Sequence, residues 1–290
     1  MIQPGKSITQ VYKLTNGGKT DLVLTSRLVP FEPADELGNV RIKNDSPSVI
    51  SDWFSFQNAD LNLGDSFVLK VKEEQQVVLR IKVPEKALED DYYLTLLFES
   101  LPEFNINQSA AWSKIQIGSN LLLTVSETGE PPRKAEIVEF KIKNAWFKLS
   151  SWQFIDSFAN PLFSLRIKNI GRSLFKPMGT IIVSGWTGGK YPLELLPENI
   201  LTNSIRQSQC FSNEKNQPSP CQLETGWKNK FLIGPYQAQV SFGLDKISED
   251  YQQTSHFFAF PFILVISLLL LILPLTILLK NYQIKQKDDF

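Results

Sequence analysis

Short runs in which apolar and polar residues alternate recur along the chain, and they constrain its fold more than any other feature. In a β-strand alternate side chains point to the same face, so each run predicts a strand with one buried side. In the first half the runs occupy residues 7–16, 20–31, 66–72, 76–84, 92–100 and 114–127. Only residues 85–91 between them look helical. This spacing of short strands predicts an antiparallel β-sandwich.

Turn residues and prolines divide the chain. Asn16, Gly17 and Gly18 follow the first run and predict a hairpin turn to the second. Residues 128–134 hold two prolines among hydrophilic neighbours and predict a linker after a first sandwich at 1–127. Similar strand runs then predict a second sandwich at 135–245. Residues 11–18 and 163–171 resemble each other weakly, because in each a strand leads into Asn and then a Gly turn.

The C-terminal region holds the longest apolar stretch. Residues 257–279, limited by Phe257 and Leu279, carry no charge. A helix that rises about 1.5 Å per residue over this length would cross the roughly 30 Å hydrocarbon core of a bilayer. We therefore expect one transmembrane helix here, with a juxtamembrane stretch at 246–256 and a tail at 280–290. A buried core helix is the alternative.

Lysines set the expected orientation of this helix. Lys280, Lys285 and Lys287 follow it, whereas only Lys246 lies close before it. The positive-inside rule then predicts a cytoplasmic tail and extracytoplasmic sandwiches in a single-pass cell-membrane protein. Residues 1–5 lack the basic and apolar regions of a signal peptide, so we expect a shortened secreted precursor. A tail-anchored protein with cytosolic sandwiches is the alternative.

The two cysteines, Cys210 and Cys221, flank a hydrophilic loop that contains two prolines. In an extracytoplasmic domain such a pair favours a disulfide, and in the cytosol it favours two thiols. Their state therefore also bears on the orientation of the chain.

Composition excludes several functional classes. Thirty basic and thirty acidic residues give no net charge, which argues against nucleic-acid binding. A single histidine, His256, and two cysteines leave no expected metal or cofactor site. No phosphate loop or nucleophile motif is present. We expect a protein without enzymatic activity, with a glycosidase-type carboxylate pair as the minor alternative.

Aromatic residues in the longer connections are the weak candidates for ligand binding. Trp53, Phe54 and Phe56 lie in the connection at 32–66, and Trp112 lies in another. A long aromatic connection either packs back on its sandwich or forms a contact surface.

The strand-and-turn sequences, together with the expected membrane segment and basic tail, resemble the WxL-interacting proteins of bacterial cell surfaces. The resemblance covers most of the chain and is carried by residues 4–7, 11–16, 77–84, 91–98, 165–171, 176–183, 199–206 and 234–240. It implies an all-β chain with two tandem immunoglobulin-like sandwiches and a C-terminal membrane anchor. It also implies a role in holding cell-wall polymer or another surface protein. The alternative function is a cytosolic adaptor with major-sperm-protein-like sandwiches that bind peptide motifs.

Overall fold

The computed structural model describes residues 1–44, 50–100, 115–211, 217–223 and 231–288, without the side chains of residue 278 and of residues 280–288. Within these ranges the regular structure is mainly β-strand, with one long helix near the C-terminus. The chain divides into two compact units. The first unit comprises Met1–Ala135, Asn169–Phe175 and Ile200–Arg206, and the second unit comprises Glu136–Lys168, Lys176–Asn199 and Gln207–Phe290. The predicted linker at 128–134 thus lies within the first unit.

The first unit is a β-sandwich of antiparallel strands. Its strands are β1 (Ser7–Thr15), β2 (Leu22–Pro33), β3 (Val40–Ile42), β4 (Phe54–Phe56), β5 (Ser66–Leu69), β6 (Glu74–Lys82), β7 (Asp91–Ser100) and β8 (Gln116–Thr124), with a 3-10 turn at Ser51–Trp53 before β4. One sheet has the order β1-β6-β4. The other has the order β3-β2-β7-β8, and β5 pairs with β2.

Alternate residues of the facing strands form the core of this sandwich. They include Val77, Leu79 and Ile81 from β6 and Leu94, Leu96 and Phe98 from β7. This is the period of two that the sequence shows, with each intervening residue turned to the other face. Truncating one such side chain to alanine costs about 2–5 kcal/mol, so these positions fix the register of the two sheets.

The connection between β1 and β2 is not the predicted hairpin. β1 pairs with β6, whereas β2 pairs with β5 and β7, so the two strands belong to different sheets. Asn16 stabilises the passage of the chain from one sheet to the other, because its buried side-chain amide forms hydrogen bonds with three backbone groups. Its Nδ2 donates to the carbonyl oxygens of Thr20 and Leu69 at 2.9 and 3.0 Å, and its Oδ1 accepts from the Gly18 N–H at 2.9 Å. The Asn-Gly sequence marks a turn without deciding which sheet the next strand joins.

Asn169 repeats this arrangement after a later strand. Its Nδ2 donates to the carbonyl oxygens of Ser173 and Ile200, both at 3.0 Å, and its Oδ1 accepts from the Gly171 N–H at 2.9 Å. In both cases the side-chain N–H group donates to the carbonyl four residues ahead and to one carbonyl far along the chain. In both cases the side-chain oxygen accepts from the N–H two residues ahead. The weak similarity between residues 11–18 and 163–171 is therefore a shared turn structure.

The remaining strands form three further sheets, most of whose residues lie in the second unit. They are β9 (Ala135–Ile142), β10 (Phe147–Leu149), β11 (Trp152–Asp156), β12 (Phe163–Asn169), β13 (Pro177–Gly185), β14 (Lys190–Glu194), β15 (Ile205–Gln207), β16 (Cys210–Phe211), β17 (Pro218–Ser219), β18 (Gly234–Leu244) and β19 (Tyr251–Phe260). A six-stranded sheet has the order β10-β11-β19-β18-β13-β14. Two smaller sheets have the orders β15-β12-β9 and β16-β17.

The predicted transmembrane helix at 257–279 is wrong. Its first four residues end strand β19, which lies between β11 and β18 in the six-stranded sheet. Phe257 and Ala259 are fully buried there, so their apolar character serves the protein core. Helix α1 (Phe262–Asp288) begins only after Pro261. In the part of the chain that the structure describes, no helix combines the length and apolar character needed to cross a membrane.

A buried carboxylate fixes the start of helix α1. Asp156, the last residue of β11, accepts a hydrogen bond from the Ile263 N–H at 2.9 Å through Oδ2 and one from the Phe158 N–H at 2.9 Å through Oδ1. An acceptor with negative charge is favourable at this end of a helix, where N–H groups lack partners. Leu279 and the three predicted anchor lysines, Lys280, Lys285 and Lys287, all fall within α1.

Candidate functional site

Among the described strands, β8 forms one edge of its sheet and leaves one side of its backbone open. It pairs antiparallel with β7 alone among the strands of that sheet. The Ser100 N–H donates to the Ile115 carbonyl, and the Val125 N–H donates to the Asp90 carbonyl, both at 2.9 Å. Odd-numbered residues of this segment therefore bond to β7, and even-numbered residues point their N–H and C=O groups away. We call Gln116, Gly118, Asn120 and Leu122 the open edge.

The chain itself pairs one residue onto the end of this edge. The Ile2 N–H donates to the Thr124 carbonyl at 2.9 Å, and the Ile2 carbonyl accepts from the Ser126 N–H at 3.1 Å. Ile2 runs parallel to β8 here, and its side chain is buried in the core. Gly5, with φ of +75°, then turns the chain towards β1. The edge therefore accepts an added strand, and within the described ranges nothing pairs with its remaining length.

The core beside β8 is progressively uncovered along the strand. Val125 and Leu123 are 0% and 4% exposed, and Leu121 is half-buried against the same core. Ile117 and Ile115 continue the same alternate row, yet they are 63% and 53% exposed. We call residues 115, 117, 119, 121 and 123 the inner row. Inward-facing apolar side chains at the edge of a sandwich stay exposed to solvent when no neighbouring strand covers them.

Polar contacts hold β8 firmly against β7 on the opposite face. The Gln116 Nε2 and Arg27 Nη2 atoms both donate to Glu99 Oε1, the latter at 2.7 Å. Asn120 Oδ1 accepts from the Thr95 hydroxyl at 2.8 Å. Cross-strand contacts of this kind stabilise strand pairing, so the open edge presents its backbone groups in a fixed geometry.

β8 also lacks the features that protect edge strands from pairing with other chains. Natural edges carry charged residues or proline for this purpose. Among the other edge strands, β1 carries Lys13, β9 carries Glu139 and β14 carries Pro192. The sequence of β8, QIGSNLLLT, contains neither a charge nor a proline.

Tyr12 lies on β1 and is half-buried against the core of the first unit. Burial raises the pKa of the Tyr12 hydroxyl, and its interaction with the Ser119 side chain partly offsets this effect.

The aromatic residues predicted as a weak ligand platform lie elsewhere. Phe54 is buried in the core, and Trp53 and Phe56 pack partly buried against it. Trp53 also contacts Tyr92 edge to face, with ring centroids 4.9 Å apart. These three aromatic residues thus pack back on their sandwich. Trp112 lies outside the described residues.

Cys210 and Cys221 are joined by a disulfide, with Cα atoms 4.8 Å apart. Both are buried, and the Cys221 carbonyl accepts from the Phe163 N–H at 2.8 Å. The bridge thus ties the β16-β17 hairpin to β12.

Side chains elsewhere that could act in catalysis or metal binding make contacts within the fold. His256 lies in β19 and contacts Trp152, with ring centroids 5.4 Å apart. Asp91 accepts hydrogen bonds from the hydroxyls of Tyr93 and Thr124 at 2.6 and 2.7 Å. Among the described residues, no group of three or more His, Cys, Asp or Glu side chains is arranged to hold a metal ion.

Comparison with known proteins gives only distant likenesses. The chain matches no protein-family profile and no curated protein. Against the class 5 fimbriae chaperone CfaA it has 9% identity and a TM-score of 0.40, over 88% of this chain and 94% of that one. Against the E. coli chaperone DraB it has 13% identity and a TM-score of 0.37, over 89% and 92% of the two chains. A chain of the Salmonella enterica SafA pilin–SafB chaperone complex gives 12% identity and a TM-score of 0.35, over 88% and 90%. Likenesses at this level support no inference about function.

Proposed function

We propose that the first unit binds an extended polypeptide segment of a partner protein, which adds to the open edge of β8 as a further strand. The observation that carries this proposal is the uncharged open edge of β8, whose backbone groups have no pairing strand among the described residues and which lies next to an exposed apolar inner row. Addition of a strand to a sheet edge is a general mode of peptide recognition. The pairing of Ile2 at the end of the same edge supports it.

Backbone hydrogen bonds and burial of apolar side chains would both contribute to binding. A guest strand would pair with the backbone groups of the four open-edge residues, and each hydrogen bond contributes about 0.5–1.5 kcal/mol net. Its inward side chains would cover Ile115 and Ile117, and burial contributes roughly 25 cal/mol per Å² of apolar surface. Backbone pairing supplies affinity for many sequences, whereas the inner row selects apolar side chains at alternate positions.

We also propose that the two units work outside the cytoplasm. The Cys210–Cys221 disulfide supports this, because structural disulfides persist in oxidising compartments. It also favours an extracytoplasmic protein over the cytosolic adaptor alternative. Membership of the WxL-interacting proteins and binding to cell-wall polymer stay predictions. Retention of the purified chain on isolated wall material would test the second.

A peptide titration with two variants at one position tests strand addition. The probe is a lysine-flanked peptide with the core Thr-Ile-Thr-Ala-Thr-Ile-Thr, which matches the length of the open edge and reads the same in both directions. The Leu122 N–H points away from β7, so Leu122→Pro removes an edge donor without breaking the existing ladder. We expect this variant to bind at least about tenfold more weakly, equivalent to about 1.4 kcal/mol.

Leu122→Ala is the matched control, because it shortens the same side chain and keeps the N–H group. It should bind the peptide within about threefold of the wild type, a difference below about 1 kcal/mol. Equal binding by Leu122→Pro and the wild type, measured by calorimetry, would contradict strand addition at this edge. A dimer formed through β8 and abolished by Leu122→Pro would instead identify a second copy of the chain as the partner.

A further inference from the structure

We propose that the second unit binds an uncharged polysaccharide on the outer face of its six-stranded sheet, the face opposite the buried side chains of that sheet. This binding surface is separate from the open edge and does not depend on strand addition there. Two adjacent rows of side chains across the strands define it. We call them the aromatic row and the mixed row.

The aromatic row consists of Phe147, Phe154, Phe258 and Pro235. Phe154 on β11 lies between Phe147 on β10 and Phe258 on β19. Phe258 in turn pairs with Pro235 on β18. The ring centroids of Phe147 and Phe154 are 4.7 Å apart, and those of Phe154 and Phe258 are 5.9 Å apart. Phe147 is 47% exposed, whereas Ile155 on the opposite face of β11 is fully buried, so the row lies on the solvent side of the sheet.

The mixed row, Leu149, Trp152, His256 and Gln237, adds a larger ring and polar groups. Trp152 lies between Leu149 and His256, and His256 pairs with Gln237. The ring centroids of Trp152 and His256 are 5.4 Å apart. Leu149 and Gln237 are both exposed. Aromatic rings and an amide group thus lie on neighbouring strands, about 4.8 Å apart.

Beyond the two rows the same face carries amide and hydroxyl groups. Thr254 and Gln252 on β19 are exposed, and Gln239 on β18 donates through Nε2 to Gln252 Oε1 at 3.1 Å. The central strands β11, β13, β18 and β19 contain one Asp, Glu, Lys or Arg residue, Asp156. It is buried and holds the start of helix α1. The central part of the outer face is therefore polar without being charged.

Such a surface matches the chemistry of a neutral sugar chain. A pyranose ring has an apolar side of C–H groups, and these pack on aromatic rings because the face of an aromatic ring is electron-rich. Its hydroxyl groups donate and accept hydrogen bonds, as glutamine amides do. An anionic polymer needs Lys or Arg side chains to neutralise its charge, and the central strands have none. A lipid surface would remove water from the amide and hydroxyl groups without replacing their hydrogen bonds, which is unfavourable.

Calorimetric titration of the full chain with chitohexaose, cellohexaose and mannohexaose tests the proposal. We expect at least one of these uncharged oligosaccharides to bind, with an affinity that changes less than about twofold when the salt concentration rises about tenfold. Trp152→Ala should weaken binding at least about tenfold, equivalent to about 1.4 kcal/mol. Trp152→Phe keeps a ring in the mixed row and should bind within about threefold of the wild type.

Two further variants control for folding and for general loss of apolar surface. Phe147→Ala removes a ring from the exposed edge strand β10 and should weaken binding at least about threefold, should Trp152→Ala fail to fold as judged by thermal unfolding. Val138→Ala is the matched control, because it shortens an exposed apolar side chain on β9, which belongs to another sheet. This variant should bind like the wild type.

Several outcomes would overturn the proposal. They are failure of the folded wild-type chain to bind any of the three oligosaccharides, and binding that Trp152→Ala and Phe147→Ala leave unchanged. Binding of anionic polygalacturonate alone, or of phosphatidylcholine vesicles without any oligosaccharide, would assign the face to a different partner. Leu122→Pro should leave oligosaccharide binding unchanged, so this test and the test of strand addition can fail separately.

Discussion

Replacement of Asn16 by alanine tests whether a buried side-chain amide holds the crossing between the two sheets of the first unit. Asn16 is 1% exposed and forms three hydrogen bonds with backbone groups. Alanine fills none of these roles, so the carbonyl groups of Thr20 and Leu69 and the N–H of Gly18 lose their partner. At about 1 kcal/mol per hydrogen bond, the free energy of unfolding should fall by about 3 kcal/mol.

Urea unfolding followed by circular dichroism measures this change. For a unit of this size the melting temperature should fall by about 6–12 °C. Asn169→Ala should have a similar effect, because Asn169 makes the same set of contacts. Asn62→Ala is the control, since Asn62 is exposed and bonds only to Asp65 among the contacts described; it should change stability by less than about 0.5 kcal/mol.

Asn16→Asp sharpens the test. Aspartate keeps the acceptor for Gly18 but turns a carboxylate oxygen towards two carbonyl oxygens, so it should destabilise at least as much as alanine. An ordinary solvated turn would tolerate aspartate. If Asn16→Ala or Asn16→Asp unfolds within about 0.5 kcal/mol of the wild type, the amide does not hold the crossing and this reasoning is refuted.

Two further predictions concern alkaline pH and reduction. Burial, and then its hydrogen bond to Asp91, raise the pKa of Tyr93, so above the unfolded value of about 10 the unfolded chain releases a proton that the folded chain keeps. Stability should therefore fall as pH rises above about 10, by up to about 1.4 kcal/mol per pH unit, and Tyr93→Phe should reduce that slope in urea titrations; an unchanged slope would contradict this. Reduction of the Cys210–Cys221 bridge should lower the free energy of unfolding by about 3 kcal/mol, as expected for a sequence separation of 11. Peptide mapping without reductant should find the two cysteines joined. Two alkylatable thiols in protein from its native compartment would contradict the bridge.

The alternating sequence predicts much of the fold because each strand buries one face. Residues 92–100, for example, correspond closely to β7. The errors arise where local sequence is compatible with two environments. Phe257 and its neighbours are apolar because they lie inside a sheet, and a buried strand leading into an apolar helix gives one continuous hydrophobic stretch. The Asn16 turn is local, whereas the sheet that receives the next strand depends on distant residues.

The candidate site shows the same limit. Residues 114–127 are predicted as a strand, but sequence alone does not show that β8 is an edge, because strand order depends on pairing across the whole sheet. The sequence does show that β8 lacks the charge or proline found in the edge strands β1, β9 and β14. The aromatic character of Trp53 and Phe54 in a long connection predicts a ligand platform, whereas in the structure both side chains pack at the core of the sandwich.

Residue-resolved amide hydrogen exchange tests the open edge most directly. In the free chain the N–H groups of Ile117, Ser119 and Leu121 should exchange slowly, because they bond to β7, while those of Gly118 and Asn120 should exchange fast. Addition of the Thr-Ile-Thr-Ala-Thr-Ile-Thr peptide should slow exchange at the N–H groups of Gly118 and Asn120. Slow exchange at Gly118 and Asn120 in the free chain, or fast exchange there with the peptide bound, would contradict strand addition at β8.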